Sequence, residues 1–128
     1  ALELILVPQG TLAEQIRAKG AGLGGVLTPT GLGTLVQEGK QVIEVDGKKY
    51  ILEKPMKADL AIVEATYADT FGNGVNIGTT RNFNPLMALA ADVVVMGTYE
   101  VREPGKVDPS SVTIHGVLVD YLVEIVEA

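Results

Sequence analysis

The stretch "LELILVPQGTLAEQIRAKG", residues 2–20, decides the fold class. Leu4, Ile5, Leu6 and Val7 follow one another without a polar interruption, the pattern of a strand buried on both faces, and Pro8 cannot continue a central ladder. Thr11, with Glu14 three residues on, has capping-box spacing, and Leu12, Ala13 and Ile16 suit one face of a helix running to Gly20. The segment therefore predicts a β-turn-α unit whose turn is Pro8-Gln9-Gly10. In α/β sheets ligands gather where strands end in the C-terminal direction, and this turn stands at such an end.

Working outward, residues 20–39, "GAGLGGVLTPTGLGTLVQEG", are too rich in Gly for a regular element and predict a long loop with exposed backbone. Residues 41–54, "QVIEVDGKKYILEK", predict a hairpin with Asp46-Gly47 as its two-residue turn. "ADLAIVEAT" (58–66) and "DVVVMGT" (92–98) predict two more buried strands, and "FGNGVNIG" (71–78) a turn and a short strand. "NFNPLMALAA" (82–91) predicts a helix with Asn84 as N-cap and Pro85 at its first position. "TIHGVLVDYLVEIV" (113–126) is a last apolar stretch with strand character. Buried strands alternating with helices imply an α/β fold with a largely parallel sheet, flanking helices and an inserted antiparallel hairpin.

The 128 residues correspond to about one ordinary domain, and 47% apolar with 20% charged residues is a globular composition. Sixteen acidic residues oppose ten basic ones, with no Lys/Arg cluster, so nucleic acid is not an expected partner. The absence of Cys removes disulfides, thiolate nucleophiles and Cys-based metal sites, and one His cannot build a multi-histidine site, so no metal is expected. No apolar run approaches the roughly 18 residues of a membrane span, and no membrane association is expected.

Several side chains invite chemistry. "GAGLGG" matches G-x-G-x-x-G through Gly20, Gly22 and Gly25, but it follows a helix instead of a strand, which argues against a dinucleotide fingerprint. The loop either brings bare backbone to a ligand or is a connection needing positive φ. His115 has no Ser or Asp at a local spacing that argues for a triad, which favours a packing or surface role. Glu53, Glu64 and Asp59 lie on or beside apolar strands, as buried carboxylates or as solvated strand ends. The Arg81 to Pro85 run offers a helix start to an anion, or capping plus an Arg salt bridge. Gln9 transfers no proton, but its amide N–H can donate to a developing negative charge or satisfy the local turn.

Three blocks together, residues 7–40, 50–65 and 78–95, closely resemble the alpha subunit of the family I CoA-transferases, the 3-oxoacid type in particular. The "PQGTLAEQIRAKGAG" run and Thr80-Arg81-Asn82-Phe83-Asn84-Pro85 carry most of the resemblance, which runs nearly end to end. It implies one chain of an enzyme that moves CoA between an acyl-CoA and a carboxylate by ping-pong chemistry through a Glu of the beta subunit. Coenzyme A is then a substrate, and no cofactor is expected. In the family the Gln of this block is an oxyanion-hole donor, which falls on Gln9, and the adjacent glycine loop lies near the acyl site, which makes Gly24 and Gly25 the candidate substrate contacts.

Family members start upstream of residue 1, with a "GGF" loop and further strands, so the resemblance implies that residues 1–128 are the C-terminal part of an alpha-subunit domain. Near the end the family has a Pro-Gly pair, where this chain has His115-Gly116. The expected partners are the beta subunit, the two substrates and the N-terminal part of the alpha subunit, in the cytoplasm. The alternative is a non-catalytic scaffold or partner piece that keeps the fold. Without neighbouring strands, apolar faces and sheet edges are expected to lie exposed.

Overall fold

A computed structural model describes residues 2–126, which fall into two units, Ala1–Met56 and Lys57–Ala128. The first unit begins with a segment of no regular secondary structure, residues 2–7, and this corrects the expected first strand. A strand exists only when its N–H and C=O groups meet a ladder partner. No described residue pairs with this run, and Leu2, Leu4, Ile5 and Leu6 are between 73% and 95% exposed.

Helix α1 (Gln9–Gly20) starts two residues before the expected Thr11 cap. Pro8 occupies the N-cap with φ −56° and ψ 135°, and its carbonyl accepts from Leu12 N at 2.9 Å, the first helical bond. The fixed φ of proline sets the entry, so the capping box does not form. Thr11 lies inside the first turn, buried, and its Oγ1 has no hydrogen-bond partner among the described residues. Glu14 turns instead to Arg17, one helical step on, at 2.7 Å.

The glycine-rich stretch also departs from a plain loop. Strand β1 (Val26–Thr28) forms within it, because the hairpin beyond offers a free edge that tertiary pairing can use whatever the local Gly content. That hairpin is as expected: β2 (Val42–Val45) and β3 (Lys48–Glu53) pair antiparallel in the register Val45↔Lys48, and Val26↔Glu53 adds β1 to the other edge of β3. Asp46 (φ 49°) and Gly47 (φ 75°) both take positive φ, the requirement of a type I′ turn. Ile51 is fully buried in this unit, as is Ala18 of α1.

The second unit contains the parallel sheet. Strands β4 (Ala58–Ala65), β7 (Ala91–Thr98) and β9 (Tyr121–Glu124) lie in the order β4-β7-β9, all parallel, with Ile62↔Val95 and Val95↔Tyr121 in register. A small sheet of β5 (Tyr67–Asp69), β6 (Gly74–Val75) and β8 (Val101–Arg102) completes the unit. Helix α2 (Asn84–Ala90) includes the residue expected to cap it. The Asn84 side chain has a different role: Oδ1 accepts from Glu64 N and Nδ2 donates to Thr80 O, each at 3.0 Å, tying α2 to β4.

Strand alternation splits the parallel sheet into two unlike faces. Ala61, Val63, Ala65, Val94 and Met96 form the core with Ala88 of α2 and Ile114. On β4 and β9 the alternate positions Leu60, Ile62, Tyr121 and Val123 are exposed, as is Val93 of β7, so β4 and β7 are not buried on both faces as expected. A patch of that kind drives association in water. We expect the 128-residue chain to sediment as an oligomer at micromolar concentration, and Ile62→Lys to shift it toward monomer. A single monomeric boundary for the unaltered chain would contradict this assignment.

Candidate functional site

In the first unit the start of α1 is uncapped. No side chain caps it, and the N–H groups of Gln9, Gly10 and Thr11 precede the first residue able to donate within the helix. The macrodipole adds positive potential at this end, which favours negative charge. Gln9 is the first helical residue and is exposed, so its amide is free to reach a ligand.

Beside it lies an open cavity of about 560 Å³, lined by Pro8, Gly10, Thr11, Arg17, Thr28 and Thr30 among others. The Arg17 guanidinium donates to Glu14, holding the Glu14 carboxyl below the ordinary glutamate range and raising Arg17 in turn. Thr28 Oγ1 accepts from Thr30 N at 3.1 Å and shapes the far wall. Gln9, Gly24 and Gly25 do not line this space themselves; each stands next to a stretch that does. The uncapped helix end and the hydroxyl wall were missed by sequence reasoning. The signal available for the first was Pro8, whose φ suits the residue that opens a helix.

The two candidate glycines differ. Gly24 is exposed with open space where a Cβ would project. At Gly25 a Cβ would stand 2.8 Å from the Glu53 carbonyl oxygen and 2.9 Å from Leu52 Cδ1, so the loop backbone is seated against β3. The positive φ expected of a connection occurs at Gly22, Gly31, Gly33 and Gly39 of this stretch, and the backbone at Gly24 is open to solvent.

Glu53 resolves the question raised by its sequence. It is 1% exposed, on the same strand face as Ile51, and its carboxylate accepts from Lys40 Nζ at 2.7 Å and from Gln15 Nε2 at 3.1 Å. Period two made this orientation legible, since Ile51 and Glu53 are two apart. Asp59 is exposed and Glu64 half-buried. Glu64 lines a cavity of about 500 Å³ in the second unit, with Ile62, Thr80, Asn84, Val95 and Val123, toward the C-terminal ends of the parallel strands. His115 is exposed at the surface. Arg81 ends a short 3-10 turn, Gly78–Arg81, and has no ion pair among the described residues, so neither the cap nor the salt bridge expected for this run is present.

The glycines yield a paired prediction. Gly25→Ala forces a carbon against backbone and is expected to destabilise the first unit by about 1–3 kcal/mol in urea unfolding. Gly24→Ala meets open space and is expected to change stability by less than about 0.5 kcal/mol. Equal effects at the two positions would contradict the seating of the loop.

Comparison with known proteins gives one consistent answer. The sequence profile described as Coenzyme A transferase matches residues 1–125. The chain is 50% identical over 122 residues to the alpha chain of the acetate CoA-transferase of Escherichia coli, covering 95% of this chain and 56% of that protein. It is 47% identical over 123 residues to the alpha chain of the acetoacetyl-CoA:acetate/butyrate CoA transferase of Clostridium acetobutylicum, covering 96% of this chain and 56% of the relative. It thus spans little more than half the length of these relatives. Among solved structures, an Escherichia coli acyl-CoA transferase in a thioester complex with CoA superposes with a TM-score of 0.82 at 27% identity, over 93% of this chain and 27% of the other. The glutaconate CoA-transferase of Acidaminococcus fermentans superposes at 0.80 with 19% identity, over 92% of this chain and 44% of the other, a likeness of fold alone. No helix among the described residues is long and apolar enough to cross a membrane. Profile, relatives and fold agree that the chain belongs to the Coenzyme A transferase family.

Proposed function

We propose that this chain is part of the alpha subunit of a CoA-transferase acting on short-chain or 3-oxo acids, and that it supplies the electrostatic half of the active site. The observation that carries this reading is Gln9, exposed at the first position of an uncapped helix. The nucleophile in this reading is a Glu of the beta subunit. Its carboxylate oxygen attacks the acyl-CoA carbonyl carbon, the C–S bond breaks, and an acyl-glutamyl anhydride and CoA thiolate result. The thiolate attacks the glutamyl carbonyl, releasing the donor carboxylate and leaving a glutamyl-CoA thioester, and the acceptor carboxylate runs both steps in reverse.

Each step passes through a tetrahedral oxyanion, and a preorganised donor there lowers the barrier because it is aimed where charge develops. Gln9 Nε2 has the right chemistry, a neutral N–H donor that stabilises negative charge without exchanging a proton. The free N–H groups and positive end of α1 act in the same direction. Gly24, with no side chain to exclude a ligand, is the candidate contact for the acyl group, and Gly25 holds the loop that presents it. Coenzyme A takes part as substrate, no further cofactor is invoked, and a cytoplasmic setting completes the reading.

The test is Gln9→Ala in the assembled enzyme, following CoA exchange between acyl-CoA and carboxylate. Loss of one oxyanion donor is expected to lower kcat about a hundredfold with the assembly intact. Wild-type turnover in the variant would overturn the role given to Gln9. A wild-type assembly with no exchange activity would instead favour a scaffold.

A further inference from the structure

Glu53 ties together the two elements that carry the candidate site residues. One carboxylate oxygen takes Lys40 Nζ at 2.7 Å and the other takes Gln15 Nε2 at 3.1 Å, in a side chain that is almost wholly buried. Gln15 belongs to α1, and its backbone carbonyl also accepts from Met56 N at 3.0 Å, so the helix is held at one residue by two bonds, one to the end of β3 and one to the segment after it. The Glu53 backbone holds the other element. It pairs with Val26, and Gly25 sits so near its carbonyl that no Cβ fits between.

A buried charge is a costly way to fill a core position, since an apolar side chain beside Ile51 would avoid the desolvation. What the carboxylate offers is direction: two donors, one from α1 and one from the loop before β2, on two oxygens. Gln15 points its amide nitrogen at Glu53 while its own Oε1 is buried and without a partner among the described residues, so the orientation is set by the carboxylate.

We propose that Glu53 is a positioning residue, whose side chain fixes α1, and thereby Gln9, relative to the strand on which the Gly24–Gly25 loop is seated. This inference rests on the oxyanion role proposed for Gln9. A donor displaced by about 1 Å loses on the order of a hundredfold in rate, so the bond from Gln15 has a kinetic consequence although it touches no substrate.

The experiment compares Gln15→Ala, Glu53→Ala and Glu53→Gln in the assembled enzyme, each with and without Gln9→Ala. Gln15→Ala leaves the Lys40–Glu53 pair in place and guards against simple misfolding. We expect Gln15→Ala and Glu53→Ala to lower kcat about ten- to a hundredfold with KM for acyl-CoA within about twofold. Glu53→Gln should restore most of the rate, because Gln15 can turn its unpartnered Oε1 toward the new amide. In the Gln9→Ala background, Gln15→Ala should cost little more, the mark of two residues acting through one another. Hydrogen exchange at the bonded amides of α1, from Leu12 onward, should quicken in Gln15→Ala without global unfolding.

Unchanged kcat and unchanged exchange in Gln15→Ala would overturn the inference, as would a loss of equal size with and without Gln9. The Gln9 reading fails separately: normal turnover in Gln9→Ala removes it, while exchange at α1 still decides whether the clamp on the helix exists.

Discussion

The first unit depends on one buried carboxylate. Glu53 on β3 is almost wholly buried, where an unpaired charge is costly, and it is tolerated because Lys40 and Gln15 each supply a donor. Removing either donor leaves charge buried and undersatisfied, which makes the position of α1 a matter of bond geometry and not only of apolar contact. The helix start, the cavity beside it and the glycine loop are all anchored through elements that meet at this residue.

The proposed division of labour draws on what the α1 end presents: free N–H groups, partial positive charge and an exposed Gln9, beside a cavity where Glu14 is paired with Arg17. Such an end stabilises an anion and forms no bond to it. In the proposed reaction the nucleophile comes from the beta subunit. The open face formed by Leu60, Ile62, Tyr121 and Val123 gives an independent physical reason to expect association.

Much of this was legible in the sequence, for identifiable reasons. The hairpin declared itself through Asp46-Gly47, because few residue pairs accept positive φ twice in succession. The parallel strands β4 and β7 declared themselves through runs of Val, Ile and Ala bounded by turn residues. Residues 2–7 carry the same signal yet form no strand, since pattern reports what a segment can bury and not whether a neighbour is present to pair with it. Both helix caps were misread for one reason: Thr11 and Asn84 have capping chemistry, but the chain entered each helix earlier, leaving Thr11 inside a turn and Asn84 bonded to β4. Gln9 was legible as a position and gained its meaning from the family resemblance, whereas the Gln15–Glu53 bond spans 38 residues and no local pattern encodes it.

In the proposed reaction this chain stabilises the negative charge while the covalent relay runs on the partner. The most direct measurement is the intact mass of each polypeptide once the assembled enzyme has met acyl-CoA with no acceptor carboxylate present. The account predicts a CoA adduct on the partner only, formed more slowly when Gln9 is replaced. An adduct on the polypeptide that carries Gln9, or an adduct rate indifferent to Gln9, would contradict it.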